Sequence, residues 1–236
     1  MRRRNSRNQN GQEGAHEHVA PSGFSWTLTY PERGSVIGQR KPLARIDVDG
    51  HEPVHIPVAV ARTLELSEES EPGGRSELLY RIREAADACA WQRVIDMASR
   101  REYSSKEAAD KLRFDGYSAA CADAVVAKAQ ERRIINDSRF AESFVRMKLA
   151  SGWGPMRLER ELRQRGVELQ DVPGWPEEFL GEDSVEERAR ELIATKRVPE
   201  KNAYEKLVRY LASRGYPLGV AKTVVLEKLK QTDGNW

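Results

Sequence analysis

One short pattern occurs three times in the chain: a leucine, a glycine four positions later, and an apolar residue directly after the glycine. The three copies are Leu112, Gly116 and Tyr117; Leu162, Gly166 and Val167; and Leu211, Gly215 and Tyr216. The glycines lie 50 and 49 residues apart, which indicates an internal repeat and stacked structural units. A left-handed glycine just past a helix end lets the next residue fold back onto the leucine, as in a Schellman cap. The pattern therefore predicts three helices that end in the same way.

The composition favours helices with narrow apolar stripes. Hydrophobic residues make up 39% of the 236 residues, charged residues 32% and aromatic residues only 7%, which fits an array of small units better than a thick globule. Together with the repeat, this predicts a mainly α fold of tandem three-helix repeats in an elongated curved array. The formal net charge is only +2, so the overall charge does not require a nucleic-acid partner.

Three segments precede the repeats. Apolar residues alternate around Asp49 and Gly50, which predicts a small β-hairpin with arms at Ala44–Val48 and Val54–Ile56. A short helix is expected over Val58–Leu66. The predicted segments are a disordered basic and polar tail over 1–25, a hairpin-plus-helix region over 26–67, and a linker over 68–76.

The remainder is predicted to form three repeats, over 77–134 with a leading helix, 135–182 and 183–236. Gly152 and Gly154 mark the break between the first two helices of the second repeat, and Pro155 suits the first turn of the next helix. After Val167 the chain contains Pro173 and Pro176, which permit only short turns. We therefore expect the third helix of the second repeat to be shortened or displaced.

The sequence carries no recognisable catalytic constellation. It has no phosphate-binding loop, dinucleotide-binding fingerprint, zinc-protease motif or nucleophile elbow. Cys89 and Cys121 lie in alanine-rich helical contexts without a Cys-x-x-Cys spacing, which predicts buried thiols rather than redox or metal chemistry. We expect a non-enzymatic binding protein without cofactor or metal. Because no signal peptide or membrane-spanning run is visible, the expected location is the cytoplasm.

Basic residues on the predicted helices of the second repeat are the candidate binding residues. They are Arg139, Arg146, Lys148, Arg157, Arg160, Arg163 and Arg165. Arg157, Arg160 and Arg163 recur at three-residue spacing and can share one helix face opposite Leu158 and Leu162. Such a ridge could bind phosphates or a carboxylate-rich surface. The alternative is a solvated face neutralised by neighbouring glutamates, which is the commoner role for any single arginine.

The same part of the chain resembles a known family. The matching segments are Asp137-Ser138-Arg139-Phe140-Ala141, Gly152-Trp153-Gly154-Pro155 and Glu161-Leu162 through Gly166-Val167. They are similar to the central signature of the RecX regulatory proteins, which are built from tandem three-helix repeats. The resemblance covers about Trp91 to Gly166 well, the last repeat more loosely and the first ninety residues hardly at all.

The resemblance implies a role in DNA repair, homologous recombination and the SOS response. A RecX-like protein would bind the RecA recombinase and its filament on single-stranded DNA, and would restrain its recombinase, ATPase and coprotease activities. The basic residues named above would then contact RecA or, weakly, DNA itself. We expect a monomer with no membrane partner.

Two other functions remain open from the residues alone. Small three-helix units also form helix-turn-helix modules, so the chain could be a DNA-binding transcriptional regulator. It could also be a non-catalytic helical adaptor if its arginines are merely solvated. Selectivity for a duplex sequence would support the regulator, whereas indifference to both DNA and RecA would support the adaptor.

Overall fold

The computed structural model describes residues 15–32, 41–67, 70–181 and 184–233. The chain divides into two compact units. The first comprises Met1–Arg101 and Glu107–Ile135, and the second comprises Glu102–Lys106 and Asn136–Trp236. The fold is mainly helical with one small antiparallel sheet near the N-terminus, which confirms the predicted class. The exact boundaries of the three repeats stay a prediction.

The N-terminal sheet has four strands in sequential order, each antiparallel to its neighbour. The strands are β1 (His16–Val19), β2 (Ser25–Thr29), β3 (Leu43–Asp47) and β4 (Val54–Pro57). Alternate residues of the two inner strands are buried, among them Trp26, Leu28 and Ile46, as the period of two requires. Helix α1 (Val58–Leu66) follows β4 directly and buries Val60 and Ala61.

The predicted hairpin is confirmed as β3 and β4, but the region is larger than a hairpin. The expectation of a disordered tail over 1–25 is wrong from residue 16 onward because His16–Val19 forms β1, while residues 1–14 lie outside the described part. The histidines explain why the strand was missed. His16 Nδ1 lies 3.1 Å from a carboxylate oxygen of Glu65, and the ring of His18 stacks on Trp26 at 4.0 Å. The distant Glu65 and the neighbouring Trp26 stabilise a strand that looks polar in the sequence.

The helices follow the repeat pattern. In chain order after α1 they are α2 (Arg75–Ala98), α3 (Ser105–Phe114), α4 (Ala119–Glu131), α5 (Asp137–Ala150), α6 (Pro155–Gln164), α7 (Glu177–Leu180), α8 (Val185–Ala194), α9 (Ala203–Arg214) and α10 (Leu218–Asp233). The core of the second repeat contains Phe140, Phe144, Leu158 and Leu162. A separate core of the third repeat lies among α8, α9 and α10.

The three repeated glycines end their helices as predicted. Gly116, Gly166 and Gly215 have φ of +97°, +78° and +93°. In each copy the N–H of the residue after the glycine donates to the carbonyl of the repeated leucine at 3.1 Å. The N–H of each glycine donates to the carbonyl three residues before it at 3.0–3.1 Å. This pair of bonds is the Schellman cap, which satisfies carbonyls that a helix end otherwise leaves unpaired.

The second repeat lacks a full third helix, in agreement with its prolines. A three-residue 3₁₀ turn at Leu169–Asp171 and the four-residue α7 occupy that part of the chain. Leu169 and Val172 are buried in the core, and Trp175 and Phe179 pack against it. A short aromatic segment therefore replaces the helix.

The two cysteines are free thiols and half-buried, so they are more accessible than the buried thiols that we expected. Burial and a hydrogen bond to Asp87 raise the pKa of Cys121 to about 12. Within the described residues, no group of three or more His, Cys, Asp or Glu side chains could hold a metal ion. In the same part of the chain, no helix has both the length and the apolar character needed to cross a membrane.

Candidate functional site

The candidate basic residues lie on or directly after α5 and α6 of the second unit. Helix α5 begins at a well-defined cap: the side chain of Asn136 accepts a hydrogen bond from the Arg139 N–H at 3.0 Å. The carboxylate of Asp137 accepts hydrogen bonds from both the N–H and the hydroxyl of Ser105, each at 2.7 Å. Because Phe140, Phe144, Val145 and Leu149 are buried, the opposite face of α5 is directed outward. That face carries Arg139, Arg146 and Met147.

Helix α6 is held by its two ends. Pro155 occupies its first turn as predicted, and the Gly166 cap closes its last turn. Leu158 and Leu162 are completely buried, so the arginines of this helix lie on its flanks and outer side. The structure divides the seven candidate residues into three groups by their partners.

Two arginines form the packed set, Arg157 and Arg165. Their guanidinium groups contact aromatic rings and oxygen atoms of the same unit. The guanidinium carbon of Arg157 lies 3.9 Å from the centre of the Trp153 ring, and its Nη1 lies 3.4 Å from the carbonyl oxygen of Ser213. Arg165 lies over Phe144 at 5.0 Å and donates to the carbonyl and the carboxylate of Glu161 at 2.6 and 2.8 Å. Both side chains bind groups of their own unit, through cation–π and hydrogen-bond contacts.

Two further arginines form the paired set, Arg139 and Arg163, which are neutralised by carboxylates. Arg139 Nε donates to Glu102 at 2.6 Å. Arg163 donates to Glu159 at 2.6 Å and to Glu168 at 3.3 Å. These hydrogen bonds raise the pKa of both guanidinium groups. Because both arginines remain about half exposed, the pairs hold the side chains in place without removing them from solvent.

Three cations form the open set, Arg146, Lys148 and Arg160. Among the residues that the structure describes, Arg146 and Lys148 have no carboxylate within ion-pair distance. Arg146 lies over the Phe179 ring at 4.5 Å, and the Lys148 ammonium lies 4.9 Å from the Trp153 ring centre. Arg160 is 63% exposed and reaches Glu161 only at 4.0 Å, and that carboxylate is already bound by Arg165. The open set retains charge that an anionic partner could neutralise.

The proposed ridge of Arg157, Arg160 and Arg163 on α6 is thus divided among the three sets. Arg157 contacts Trp153 and the end of α9, and Arg163 binds two glutamates. Of these three arginines, only Arg160 belongs to the open set. Equal spacing along a helix gives the arginines similar positions, but their neighbours decide their roles.

The packed set lies beside a close junction between α6 and the end of α9. The N–H groups of Gly154 and Met156 donate to the carbonyls of Arg214 and Gly215 at 2.8 and 3.1 Å. Donors left unpaired at one helix start are thereby satisfied by acceptors left unpaired at another helix end. A Cβ atom on Gly154 would lie 2.5 Å from the Gly215 carbonyl oxygen, and one on Gly215 would lie 2.5 Å from the Arg157 nitrogen. Only glycine fits at these two positions.

Sequence reasoning missed the basic residues that complete this junction. Arg214 donates to the Ser151 carbonyl at 3.1 Å, and Arg188 reaches the Leu149 carbonyl at 3.4 Å. Both carbonyls lie at the end of α5, where helix acceptors lack intrahelical partners. The sequence offers only a weak signal, since these partners are 63 and 39 residues away along the chain.

Comparisons with known proteins agree with this architecture. A family model described as RecX, second three-helix domain, matches residues 136–172, the segment that contains α5 and α6. The chain is 32% identical to the regulatory protein RecX of Pseudomonas putida strain GB-1, over 53% of this chain and 81% of that protein. It is 29% identical to the regulatory protein RecX of Amycolatopsis mediterranei strain U-32, over 64% of this chain and 86% of that protein.

A crystal structure of a regulatory protein RecX has the same fold. It superimposes with a TM-score of 0.52 at 22% sequence identity, covering 79% of this chain and 94% of that one. The fold, the matched second repeat and the extent of the matches to the curated relatives all agree with the resemblance seen in the sequence. The chain belongs to the RecX family of regulatory proteins.

Proposed function

We propose that this protein binds the RecA recombinase and its filament on single-stranded DNA, and negatively modulates its recombinase, ATPase and SOS coprotease activities. It would act in the cytoplasm by binding rather than by catalysis, as a monomer and without a cofactor. The names of its relatives support a regulatory role. The finer assignment to RecA rests on the family resemblance and on the surface described above.

The observation that carries the proposal is the open set of Arg146, Lys148 and Arg160. These residues come from α5 and α6 of a single repeat, and the aromatic rings beneath Arg146 and Lys148 hold their side chains near the surface. Cations that are already positioned lose less conformational entropy when they bind. They suit carboxylates on a protein or phosphates on a nucleic acid, and a nucleoprotein filament offers both.

The direct test is the rate of DNA-dependent ATP hydrolysis by the cognate RecA, measured with this protein well below the RecA concentration. Inhibition is expected, and inhibition by few molecules would favour action at growing filament ends. An unchanged rate even at equal concentrations would contradict the proposal. In that case, selection of bound duplex sequences would test the alternative of a transcriptional regulator.

A further inference from the structure

The outward face of α10 carries a regular pattern that the proposed function does not use. Leu218, Lys222, Leu226 and Lys230 follow one another at four-residue intervals. Leu218 and Leu226 are 53% and 47% exposed, and both lysines are exposed. We call these four residues the α10 ridge. At 1.5 Å per residue it extends for roughly 18 Å along the helix.

The ridge is not needed to hold α10 in place. The inner face of the helix buries Ala221, Val224 and Val225 in the core of the third repeat, and its lysine on the flank, Lys228, binds the carbonyls of Ala194 and Lys196. Helix α4 has the same place in the first repeat, and none of its large apolar side chains is exposed. Exposed leucines are therefore specific to α10 and are not a feature shared by the repeats.

The ridge carries two positive charges. Within the described part of the chain, neither Lys222 nor Lys230 has a hydrogen-bond or ion-pair partner. Glu227, the carboxylate that lies between the two lysines along the helix, is bound by Arg190 at 3.0 Å. A partner that covers the leucines would therefore bring both ammonium groups close to its own surface, and carboxylates there would be favoured.

Rows of side chains four residues apart are the ridges by which helices pack into each other's grooves. From this geometry and charge, we propose that the α10 ridge docks an acidic amphipathic helix of a partner protein, with apolar residues against Leu218 and Leu226 and carboxylates opposite Lys222 and Lys230. A second copy of this chain would place lysines against lysines, and a nucleic acid would leave the leucines against phosphates. Both are less favourable than the acidic helix.

The proposal does not depend on RecA and is tested without it. The probe is a fluorescent synthetic helical peptide of about four turns, with leucine and glutamate alternating every fourth position and alanine and glutamine elsewhere. Fluorescence anisotropy with the full chain should show saturable binding. A peptide with lysine in place of each glutamate should bind at least about tenfold more weakly. Added salt should lower the affinity of the acidic peptide but not that of the lysine peptide.

Variants of the chain locate the site. The double variant Lys222→Glu/Lys230→Glu should lose about tenfold in affinity for the acidic peptide, and Leu226→Ala should also weaken binding. Lys206→Glu, at an exposed position of α9, is the control and should bind normally. Circular dichroism should show that all variants remain folded because the substituted side chains are exposed.

Equal binding of the acidic and the charge-reversed peptides would overturn the proposal. An equal loss of affinity in Lys206→Glu would overturn it as well, because the attraction would then be general. Preferential binding of a single-stranded oligonucleotide through Lys222 and Lys230, or dimerisation that Leu226→Ala abolishes, would also contradict the acidic-helix partner. These results can be obtained whether or not the chain inhibits RecA.

Discussion

The packed set comes from α6 and its C-cap, and the open set comes from α5 and α6. All of these residues are cations of one repeat, yet their surroundings differ. Arg157 and Arg165 bind aromatic rings and oxygen atoms of their own unit. Arg146 and Lys148 also lie over aromatic rings, but no carboxylate of the described chain neutralises them. The partner of a cation, rather than its spacing on a helix, therefore separates the structural arginines from the cations that we propose to bind a partner.

The largest expected effect comes from the junction beside Arg157. Gly154→Ala places a Cβ atom 2.5 Å from the Gly215 carbonyl oxygen, and relieving this contact would require the backbones of α6 and α9 to separate. We expect a loss of about 2 kcal/mol or more in the free energy of unfolding, measured by urea denaturation. The matched control is Gly219→Ala, where a Cβ atom meets nothing within 4 Å.

That control should leave stability unchanged or raise it by up to about 1 kcal/mol, since alanine is the better helix former. Equal stability of the two alanine variants would show that α6 and α9 can separate without cost. The close backbone contact beside Arg157 would then contribute little to the stability of the unit.

A smaller effect separates the packed set from the open set directly. Arg157→Ala removes a cation–π contact at 3.9 Å and a hydrogen bond to Ser213, and should cost about 1–2 kcal/mol. Arg160→Ala removes a side chain that is 63% exposed and should change stability by at most about 0.5 kcal/mol. Thermal unfolding of both variants provides the comparison. A larger loss of stability in Arg160→Ala than in Arg157→Ala would contradict the division between the packed set and the open set.

The smallest effect is expected for the paired set. Arg163→Ala removes ion pairs to Glu159 and Glu168 on an exposed helix face, where such pairs contribute little because water and salt screen them. We expect a change within about 0.5 kcal/mol that shrinks at high salt. A loss as large as that of Arg157→Ala, persisting in high salt, would move Arg163 into the packed set.

Local sequence signals were sufficient for the helix ends and the repeat. A glycine after an apolar helix face specifies a left-handed cap within a few residues. The three Schellman caps could therefore be predicted from Gly116, Gly166 and Gly215 and the leucine four residues before each of them. The sequence signal for the hairpin of β3 and β4 was equally local, since Asp49 and Gly50 mark its turn. Strand β1 has no such local signal, because its histidines bind glutamates about fifty residues away along the chain.

The division of the arginines could not be predicted for the same reason. Glu142 lies four residues before Arg146, a spacing that favours an ion pair on a helix, yet Arg146 lies over Phe179 instead. Phe179 comes from the short segment that replaces the third helix, and its position depends on the whole repeat. Similarly, Arg157 depends on Ser213, 56 residues away.

The role of the open set is tested most directly with two double variants that have the same change in charge. For each variant, the affinity for a RecA filament on single-stranded DNA is measured. Arg146→Glu/Lys148→Glu reverses two of the three cations of the open set, and Arg139→Glu/Arg163→Glu reverses both members of the paired set. We expect a loss of at least about tenfold for the first variant and less than about threefold for the second. Equal losses, or a larger loss for the paired set, would contradict the claim that the open cations form the binding surface.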